Sequence, residues 1–286
     1  MINKIKQKVI NILPKEVKGI IKDIYYNKLL YNLHKLNNKI YYGTGDFFYS
    51  VGIETTTHCN LRCKFCPNSK YERGLFKNKK LMKESLFKKI IDELAKINYR
   101  GNILPYSFGE PITDNRMSNF VEYIKKKLPK ARVVLNSNGI LLNPKIYKKL
   151  IDSGVDSFLV SQYTSEMPEN MKKVFAYLKT RPKKENKINY RIFGEELAIS
   201  NRGGEVEVNR VWDKPICSYP HKTINIDYAG NVILCCNDYH SSIKFGNISN
   251  EKLIDIWNKA DFKKIRKETM NKIYRLPICQ KCVGLK

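Results

Sequence analysis

The spacing of hydrophobic residues divides this chain into an amino-terminal stretch and a longer, more regular part. Up to about residue 45, hydrophobic residues recur every three or four positions, as on one face of a helix. The sequence therefore predicts a helical extension over residues 1–45. Its hydrophobic positions are Val17, Ile20, Ile21, Ile24, Tyr25, Leu29, Leu33 and Leu36.

From residue 47 onward, short apolar runs alternate with amphipathic helical patterns. Repeated β–α units are typical of a parallel sheet. About five or six units fit into residues 46–208, too few for a closed eight-stranded barrel. We therefore expect an α/β fold with a partial, open (β/α)5–6 barrel over residues 46–208. The predicted strands are Phe47–Thr55, Asn102–Phe108, Arg132–Asn136, Val155–Gln162 and Ile188–Phe193, and the predicted helices are Met82–Ile97, Met117–Leu128, Lys145–Ser153 and Glu169–Leu178.

The alternation of strands and helices stops before residue 209. Thr223–Tyr228 and Val232–Cys235 flank a glycine-containing turn, which predicts a β-hairpin. Asn250–Met270 has the pattern of a helix. We expect residues 209–286 to form a small carboxyl-terminal domain, which carries five of the eight cysteines. The residues expected on the inner face of its helix are Leu253, Ile256, Trp257, Ala260 and Ile265.

The composition supports a folded core but is strongly basic. Hydrophobic residues make up 42% of the chain, and 53 Lys and Arg against 27 Asp and Glu give a formal charge of +26. A basic surface can bind nucleic acid, anionic lipid or phosphorylated substrates. Because the lysines are spread along the chain and no nucleic-acid recognition module occurs, we do not expect nucleic-acid binding. Nine lysines in the first 40 residues leave two interpretations of the extension, a helix packed on the core or one lying on an anionic membrane surface.

Neither a membrane span nor a signal peptide is predicted. No run of about 18 apolar residues occurs, and lysines interrupt the first eight residues where a signal peptide would be apolar. We therefore expect a cytoplasmic protein. Cysteines in that compartment are more often metal ligands or reactive thiols than disulfides.

Three cysteines directly after the first predicted strand form the strongest chemical motif. Cys59, Cys63 and Cys66 follow a CxxxCxxC spacing. Soft sulfur ligands suit a metal ion or an iron–sulfur cluster. A structural zinc site normally takes four protein ligands. Three ligands leave one position open, unless a distant residue fills it.

The carboxyl-terminal cysteines form a second group of possible ligands. Their spacing alone fits either a Cys₄ zinc site or a second iron–sulfur cluster. Cys235 and Cys236 are adjacent at the end of a predicted strand, and neighbouring residues on a strand point to opposite faces, so we expect one of them to be a ligand. The group comprises Cys217, Cys235 or Cys236, Cys279 and Cys282.

The first motif resembles that of the radical S-adenosylmethionine (AdoMet) enzymes. The residues around it, Glu54–His58 and Pro67, resemble the family as well, and the resemblance covers about residues 48–200. In that family three cysteines hold a [4Fe–4S] cluster whose fourth iron binds AdoMet. The reduced cluster cleaves AdoMet to methionine and a 5′-deoxyadenosyl radical, which takes hydrogen from a substrate. The resemblance thus implies an enzyme with a one-electron reductant such as flavodoxin or ferredoxin.

The same resemblance assigns AdoMet contacts at the ends of the predicted strands. Gly109 and Glu110 stand where the family has a Gly-Gly-Glu motif that receives the AdoMet ammonium group, although Phe108 replaces the first glycine. Polar residues at the carboxyl ends of barrel strands face the active site. The residues that the resemblance assigns to AdoMet are Phe65, which lies within the cysteine motif, and Gly109, Glu110, Asn136, Ser137, Asn138, Ser161 and Gln162.

The carboxyl-terminal part resembles the SPASM/twitch extension of that family. The resemblance includes Gly246–Ile248 and the Ile256–Trp257 pair, and it implies a single auxiliary [4Fe–4S] cluster. It assigns Cys217, Cys235, Cys279 and Cys282 to that cluster. Cys236 is then a buried residue or a thiol that donates hydrogen to a substrate radical. Arg202 lies in a segment similar to one that faces the active site, and we treat it as a candidate catalytic residue.

The single-cluster extension most resembles the aminocyclitol dehydrogenases and sugar epimerases of the family. We therefore expect an enzyme that oxidises or epimerises a hydroxyl-rich sugar or cyclitol. Two alternatives remain. One is a maturase of ribosomal peptides, for which the 45-residue extension is shorter than the usual leader-recognition domain. The other is a zinc-stabilised, basic RNA-binding protein without catalysis.

Overall fold

The computed structural model describes residues 30–193, 200–207 and 216–285, and the chain divides into two compact units, 1–47 and 48–286. The described part of the first unit contains helix α1, Leu30–Tyr42. Leu33 and Leu36 on this helix are 52% and 58% exposed. The amide of Asn38 is buried and donates to the Phe47 carbonyl at 2.8 Å. The rest of the predicted extension, residues 1–29, lies outside the described residues.

The second unit is built on one sheet of eight strands. Its strand order is β5-β4-β3-β2-β1-β6-β7-β8. Neighbouring strands from β5 through β1 to β6 run parallel, whereas β7 and β8 pair antiparallel. This confirms the predicted partial α/β barrel. The strands are β1 Ser50–Ile53, β2 Asn102–Leu104, β3 Arg132–Ser137, β4 Ser157–Gln162, β5 Ile188–Ile192, β6 Thr223–Ile226, β7 Asn231–Ile233 and β8 Lys244–Asn247.

Amphipathic helices connect the strands from β1 to β5, as the hydrophobic spacing predicts. Local signals set their ends: Asn143 accepts a hydrogen bond from the Ile146 amide and begins α4 with Pro144, and Gly154 ends it with a φ of 109°. None of the helices within residues 30–193, 200–207 and 216–285 has the length and apolar character needed to cross a bilayer. The helices of the second unit are α2 Glu84–Lys96, α3 Met117–Lys127, α4 Pro144–Ser153, α5 Glu169–Lys179, α6 Tyr219–Lys222, α7 Leu253–Trp257, α8 Ala260–Met270 and α9 Pro277–Cys282.

Several predicted elements have other bounds in the structure, and two of the differences change the fold locally. The second strand ends at Leu104 rather than Phe108, because Pro105 has no amide hydrogen to continue the ladder. The single helix predicted over Asn250–Met270 is two helices, since Lys259 has an extended backbone between them. The break changes the inner face, so that Ala260 is exposed and Phe262 is buried.

The predicted hairpin contributes to the main sheet. Its first strand, β6, pairs in parallel with β1, from Ser50 opposite Thr223 to Ile53 opposite Ile226. The carboxyl ends of both strands therefore lie at the same edge of the sheet. The third antiparallel strand, β8, has no counterpart among the predicted elements.

Candidate active site

The three amino-terminal cysteines lie on one loop, directly after β1. The Cys59 amide donates to the Gly74 carbonyl at 3.1 Å, and the Cys66 amide donates to the Cys63 carbonyl at 2.9 Å. The chain then folds back in three short turns of 3₁₀ helix between residues 67 and 78. These backbone contacts hold the three cysteines on one curved segment at the carboxyl end of the strand.

Burial keeps these thiols in their neutral form. It raises the pKa of Cys59 to about 12 and that of Cys63 to about 11, and it also raises the pKa of Cys66. The charges of Cys63 and Cys66 further raise the pKa of Cys59, which places the three groups close together. A metal centre would stabilise the thiolate forms here, because it supplies positive charge at the sulfur atoms.

The segment after β2 brings a glycine and a glutamate to the same loop. The Glu110 amide donates to the His58 carbonyl at 2.8 Å. A Cβ atom on Gly109 would lie 2.1 Å from the Thr56 carbonyl oxygen, so only glycine allows the two segments to approach this closely. Glu110 also contributes to the raised pKa of Cys59, which places its carboxylate near that thiol.

Glu110 is a buried carboxylate with its oxygen atoms directed to the end of β3. It is 4% exposed and accepts hydrogen bonds from the Ser137 hydroxyl and the Asn138 amide, both at 2.8 Å. Burial raises the pKa of Glu110 to about 7, although these donors lower it. An ammonium group is a suitable partner for a carboxylate in this setting, since charge-assisted hydrogen bonds are strong there.

The end of β3 also supplies an amide oxygen without a partner. The Asn136 Oδ1 atom is buried and has no hydrogen-bond partner among the described residues. The side-chain amide of Asn138 donates to Asn60 Oδ1 at 2.8 Å and so ties β3 to the cysteine loop. Buried polar atoms normally have partners, so Asn136 is a candidate to accept a hydrogen bond from a bound molecule.

The two polar residues at the end of β4 have different surroundings. The Ser161 hydroxyl accepts from Arg191 Nε at 2.6 Å. Gln162 donates to the Thr164 carbonyl at 2.9 Å and accepts from the Tyr190 hydroxyl at 2.8 Å. Among the described residues, Ser161 lines the cavity described next and Gln162 does not.

A cavity of about 370 Å³ opens at this edge of the sheet. Phe65 forms one of its apolar walls and stacks on Phe193 with 4.0 Å between ring centroids. The cavity joins the cysteine loop to residues from the carboxyl-terminal part of the chain. The predicted site residues in its wall are Cys59, Cys63, Phe65, Cys66, Gly109, Glu110, Asn136, Ser137, Asn138, Ser161, Arg202 and Cys236.

Arg202 is held in an uncommon backbone conformation at the cavity wall. Its φ is 52°, in the left-handed region that favours glycine, and Gly203 follows with a φ of 72°. Arg202 Nε is buried and has no hydrogen-bond partner within the described part of the chain. The positive charge of Arg202 lowers the pKa values of Cys66 and Cys236, which burial raises, so the guanidinium lies near both cysteine groups.

The carboxyl-terminal cysteines come together from three segments. Helix α9 places Cys279 and Cys282 one turn apart. Burial raises the pKa of Cys217 to about 11 and that of Cys279 to about 12, and the charge of Cys282 adds to both shifts. Burial also raises the pKa of Cys235 well above its usual value, with contributions from Cys217 and Cys282. These thiols therefore lie close together as one partly buried group.

The predicted strand Val232–Cys235 ends earlier, at Ile233, so Cys235 and Cys236 lie in the turn after β7 rather than on a strand, and they face different surroundings. Cys236 lines the cavity, whereas Cys235 is absent from the described wall. Burial raises the pKa of Cys236, and the charge of Arg202 opposes that shift. The pKa of Tyr219 is raised to about 12, most strongly by the negative charge of Cys236. The Cys236 thiol therefore lies beside Tyr219, which also lines the cavity.

The two cysteine groups fit iron–sulfur clusters in number and chemistry. Each is a partly buried set of soft sulfur donors, three in the first group and four or five in the second. In residues 30–193, 200–207 and 216–285, no three His, Cys, Asp or Glu side chains converge as ligands of a single metal ion. The sulfur ligands of a cubane bind different iron atoms, so a cluster does not require them to converge on one point.

Among the cavity-wall residues that have no place in the sequence-based predictions are three tyrosines, an arginine and an asparagine. Tyr106, Tyr163 and Arg191 lie on or just after predicted strands, where the same strand-end argument could have found them. Tyr219 and Asn225 come from the carboxyl-terminal part. No local pattern indicates that β6 joins the main sheet and brings these two residues to the cavity.

Comparison with known families agrees with this geometry. Residues 53–182 match the model of the radical SAM superfamily. Residues 217–283 match the model of the SPASM iron–sulfur cluster-binding domain. The two matched regions contain the first and second cysteine groups, respectively.

Individual relatives include enzymes of different reactions. The S-adenosyl-L-methionine-dependent 2-deoxy-scyllo-inosamine dehydrogenase of Niallia circulans is 28% identical over 222 residues, 77% of this chain and 86% of that protein. The crystal structure of BtrN in complex with AdoMet and 2-DOIA superposes with a TM-score of 0.71 at 26% identity, covering 79% of this chain and 88% of that one. A tungsten-containing aldehyde ferredoxin oxidoreductase cofactor-modifying protein of Pyrococcus furiosus is 32% identical over 36% of this chain and 28% of its own length.

Proposed function

This chain belongs to the radical SAM superfamily and carries a carboxyl-terminal SPASM domain, and on that premise we propose that it oxidises a hydroxyl group of a cyclitol or sugar. The support is twofold. The relative from Niallia circulans, a 2-deoxy-scyllo-inosamine dehydrogenase, matches across most of both chains. In this chain, the same cavity is lined by the first cysteine loop, by Arg202 and by Cys236.

That cavity is the observation on which the proposal depends most. A substrate bound in it would lie between the first cysteine loop and the Cys236 side of the second group. When bound, the reduced first cluster and AdoMet supply a 5′-deoxyadenosyl radical that removes a hydrogen atom, and the auxiliary cluster supplies an acceptor for one electron. Cys59, Cys63 and Cys66 would hold the first cluster, and Cys217, Cys235, Cys279 and Cys282 the second.

The residues around Glu110 would bind and orient AdoMet. The Glu110 carboxylate would accept hydrogen bonds from the ammonium group, which also compensates its buried charge. Asn136 Oδ1, which has no partner in the described residues, would accept one further hydrogen bond from the cofactor. Phe65 would provide an apolar face for the adenine.

Arg202 would orient the substrate. Oxidation of a secondary alcohol removes a hydrogen atom from carbon, a proton from oxygen and one electron. The Arg202 guanidinium would donate hydrogen bonds to the substrate oxygen and favour loss of its proton to water, because it stabilises negative charge there. Arg202, with its uncommon φ of 52°, lies in the cavity wall, where a substrate would bind.

Anaerobic reconstitution followed by product analysis tests the proposal. The enzyme is incubated with dithionite, AdoMet and 2-deoxy-scyllo-inosamine or myo-inositol deuterated at the carbinol carbons. We expect 5′-deoxyadenosine that contains deuterium, together with a ketone product. The variant Arg202→Gln should keep AdoMet binding and lose about 100-fold in ketone formation. A reconstituted enzyme that produces no 5′-deoxyadenosine would contradict the proposal.

A second candidate reaction, epimerisation, is favoured by one observation. Cys236 lines the cavity, and a thiol there could return a hydrogen atom to the substrate radical. Running the reaction in deuterated water separates the two candidates. A product with solvent deuterium on carbon, lost in Cys236→Ala while AdoMet cleavage continues, would establish epimerisation. A ketone without solvent deuterium, formed equally well by Cys236→Ala, supports the proposed oxidation.

A further inference from the structure

The loop that carries the first three cysteines also forms an exposed basic surface. Phe76 is 69% exposed on this loop. Residues 60–83 contain eight basic residues and a single acidic one, Glu72. We call this region the Phe76 surface, and its residues are Arg62, Lys64, Lys70, Phe76, Lys77, Lys79 and Lys80.

Glu72 and the inward-facing Arg73 leave most of the positive charge of this region exposed. Glu72 accepts a hydrogen bond from the Asn78 amide at 3.1 Å and pairs with Lys77 at 3.3 Å. Arg73 turns inward and pairs with the buried carboxylate of Glu54. The lysines that remain are held on a well-defined loop, because Arg62 donates to the Tyr71 carbonyl at 2.9 Å.

Phe76 lies at the exposed end of a short series of contacts to Cys59. Its ring meets the His58 ring edge to face, with 5.4 Å between centroids, and Lys79 Nζ lies 4.4 Å from its centre. His58 directly precedes Cys59, and His58 Nδ1 lies 2.9 Å from the Gly74 carbonyl oxygen. That same carbonyl accepts from the Cys59 amide. A partner on Phe76 would therefore be only a few side chains from a cysteine of the first group.

We propose that the Phe76 surface is the docking site for an acidic, one-electron carrier protein. This rests on the proposed function, because a radical SAM enzyme needs one electron for each AdoMet that it cleaves. The reduced flavin or iron–sulfur group of the carrier loses one electron, and the site held by Cys59, Cys63 and Cys66 gains it. No bond or proton changes on this chain.

The local arrangement favours an acidic protein over a nucleic acid. Electron-transfer partners use small interfaces in which opposite charges steer the encounter and a central apolar contact is buried. The Phe76 surface has this form, an exposed ring among lysines. A polyanion such as RNA would instead bind the basic residues distributed over a chain of charge +26 and would not depend on this patch.

Two variants of equal charge change isolate the surface. The test variant is Lys77→Glu, Lys79→Glu, Lys80→Glu. The control is Lys96→Glu, Lys126→Glu, Lys130→Glu, which alters exposed residues at or just after the carboxyl ends of α2 and α3. Because these helices run antiparallel to the strands, the control residues lie at the opposite edge of the sheet from the cysteine loop. Phe76→Ala tests the central ring separately.

Binding is measured with the reconstituted full chain and an oxidised, acidic bacterial flavodoxin. We expect the dissociation constant by isothermal titration calorimetry to rise about tenfold or more for the test variant and for Phe76→Ala. The control should match the wild type. Equal weakening in the control and test variants would overturn the proposal. The proposal would also be overturned if the test variant lost as much affinity for single-stranded RNA as it loses for flavodoxin.

Turnover provides an independent readout. With flavodoxin hydroquinone as reductant, the test variant should form 5′-deoxyadenosine about tenfold more slowly at low flavodoxin concentration. With dithionite, which needs no docking site, its rate should equal that of the wild type. A loss of both rates would show a structural effect and overturn the proposal. If the wild type itself is inactive with dithionite, the proposed function is wrong. The binding measurement does not depend on that function and still tests the docking site.

Discussion

At the scale of single residues, Glu110 explains how a buried site can prefer a cationic ligand. It is almost completely buried, it lies near Cys59, and its hydrogen-bond donors come from the end of β3. Burial raises its pKa to about 7, so the carboxylate form is costly without a compensating cation. The ammonium group of AdoMet would provide that cation.

We expect Glu110→Gln to weaken AdoMet binding about 10- to 100-fold, because a charge-assisted hydrogen bond in a buried site is replaced by a neutral one. Equilibrium dialysis of AdoMet with the reconstituted protein measures this. Glu122→Gln, on the exposed side of α3, is the matched control and should bind like the wild type. Unchanged affinity in Glu110→Gln would refute the assignment of Glu110 to AdoMet.

The residues that could be predicted from the sequence are those with a local signal. The cysteines and Glu110 stand in motifs, and Asn136, Ser137 and Ser161 stand at strand ends. Gln162 has the same local signal as Ser161, yet its amide is satisfied by Thr164 and Tyr190. Which of two neighbouring residues faces a cavity depends on the packing of the strand, which a single sequence does not reveal.

At the scale of elements, an ion pair connects β1 with the turns that follow the cysteines. Glu54, directly after β1, is 1% exposed and pairs with Arg73, which also donates to the Tyr239 carbonyl of the carboxyl-terminal part. Tyr239 in turn donates its hydroxyl to Asn68 at 2.8 Å. These contacts join the loops of both cysteine groups.

The pKa of Glu54 predicts a pH dependence of stability. Burial raises it to about 7 from 4.5, although Arg73 lowers it. The contribution of Glu54 to the free energy of unfolding is therefore fully present below about pH 4.5 and is lost as the pH rises through about 7. Glu54→Gln cannot ionise, so we expect its melting temperature relative to the wild type to rise by several degrees between pH 6 and pH 8.5.

Thermal unfolding followed by circular dichroism at both pH values checks this expectation. The control Glu84→Gln removes an exposed carboxylate whose pKa is lowered by its hydrogen bond to Lys88, so it should show no such trend in this range. A difference between Glu54→Gln and the wild type that stays constant with pH would contradict the raised pKa of Glu54.

Element boundaries could be predicted where a residue has a fixed effect on the backbone. Pro144 and Gly154 bound α4 almost as expected. Pro105 ends β2 earlier than the apolar run suggests. The break at Lys259 has no such signal, because neither glycine nor proline occurs there. At this break Trp257 packs against Phe262, with 5.2 Å between the ring centroids.

At the scale of the whole molecule, the pairing of β6 with β1 brings the two halves of the site together. Six parallel strands place their carboxyl ends at one edge, and the cavity there contacts residues from both matched family regions. The β–α repetition predicts the first five of these strands. It does not predict the sixth, because that pairing joins residues about 170 positions apart in the sequence.

We expect the cysteine loop to leave one iron of its cluster open for AdoMet. Electron–nuclear double resonance on the dithionite-reduced, reconstituted enzyme tests it most directly, with AdoMet carrying ¹⁷O in its carboxylate or ¹⁵N in its amino group. In the wild type both labels should show hyperfine coupling to the reduced cluster, and Cys59→Ala should lose the signal. A wild-type cluster that forms fully and shows no coupling to either label would mean that none of its iron atoms binds AdoMet.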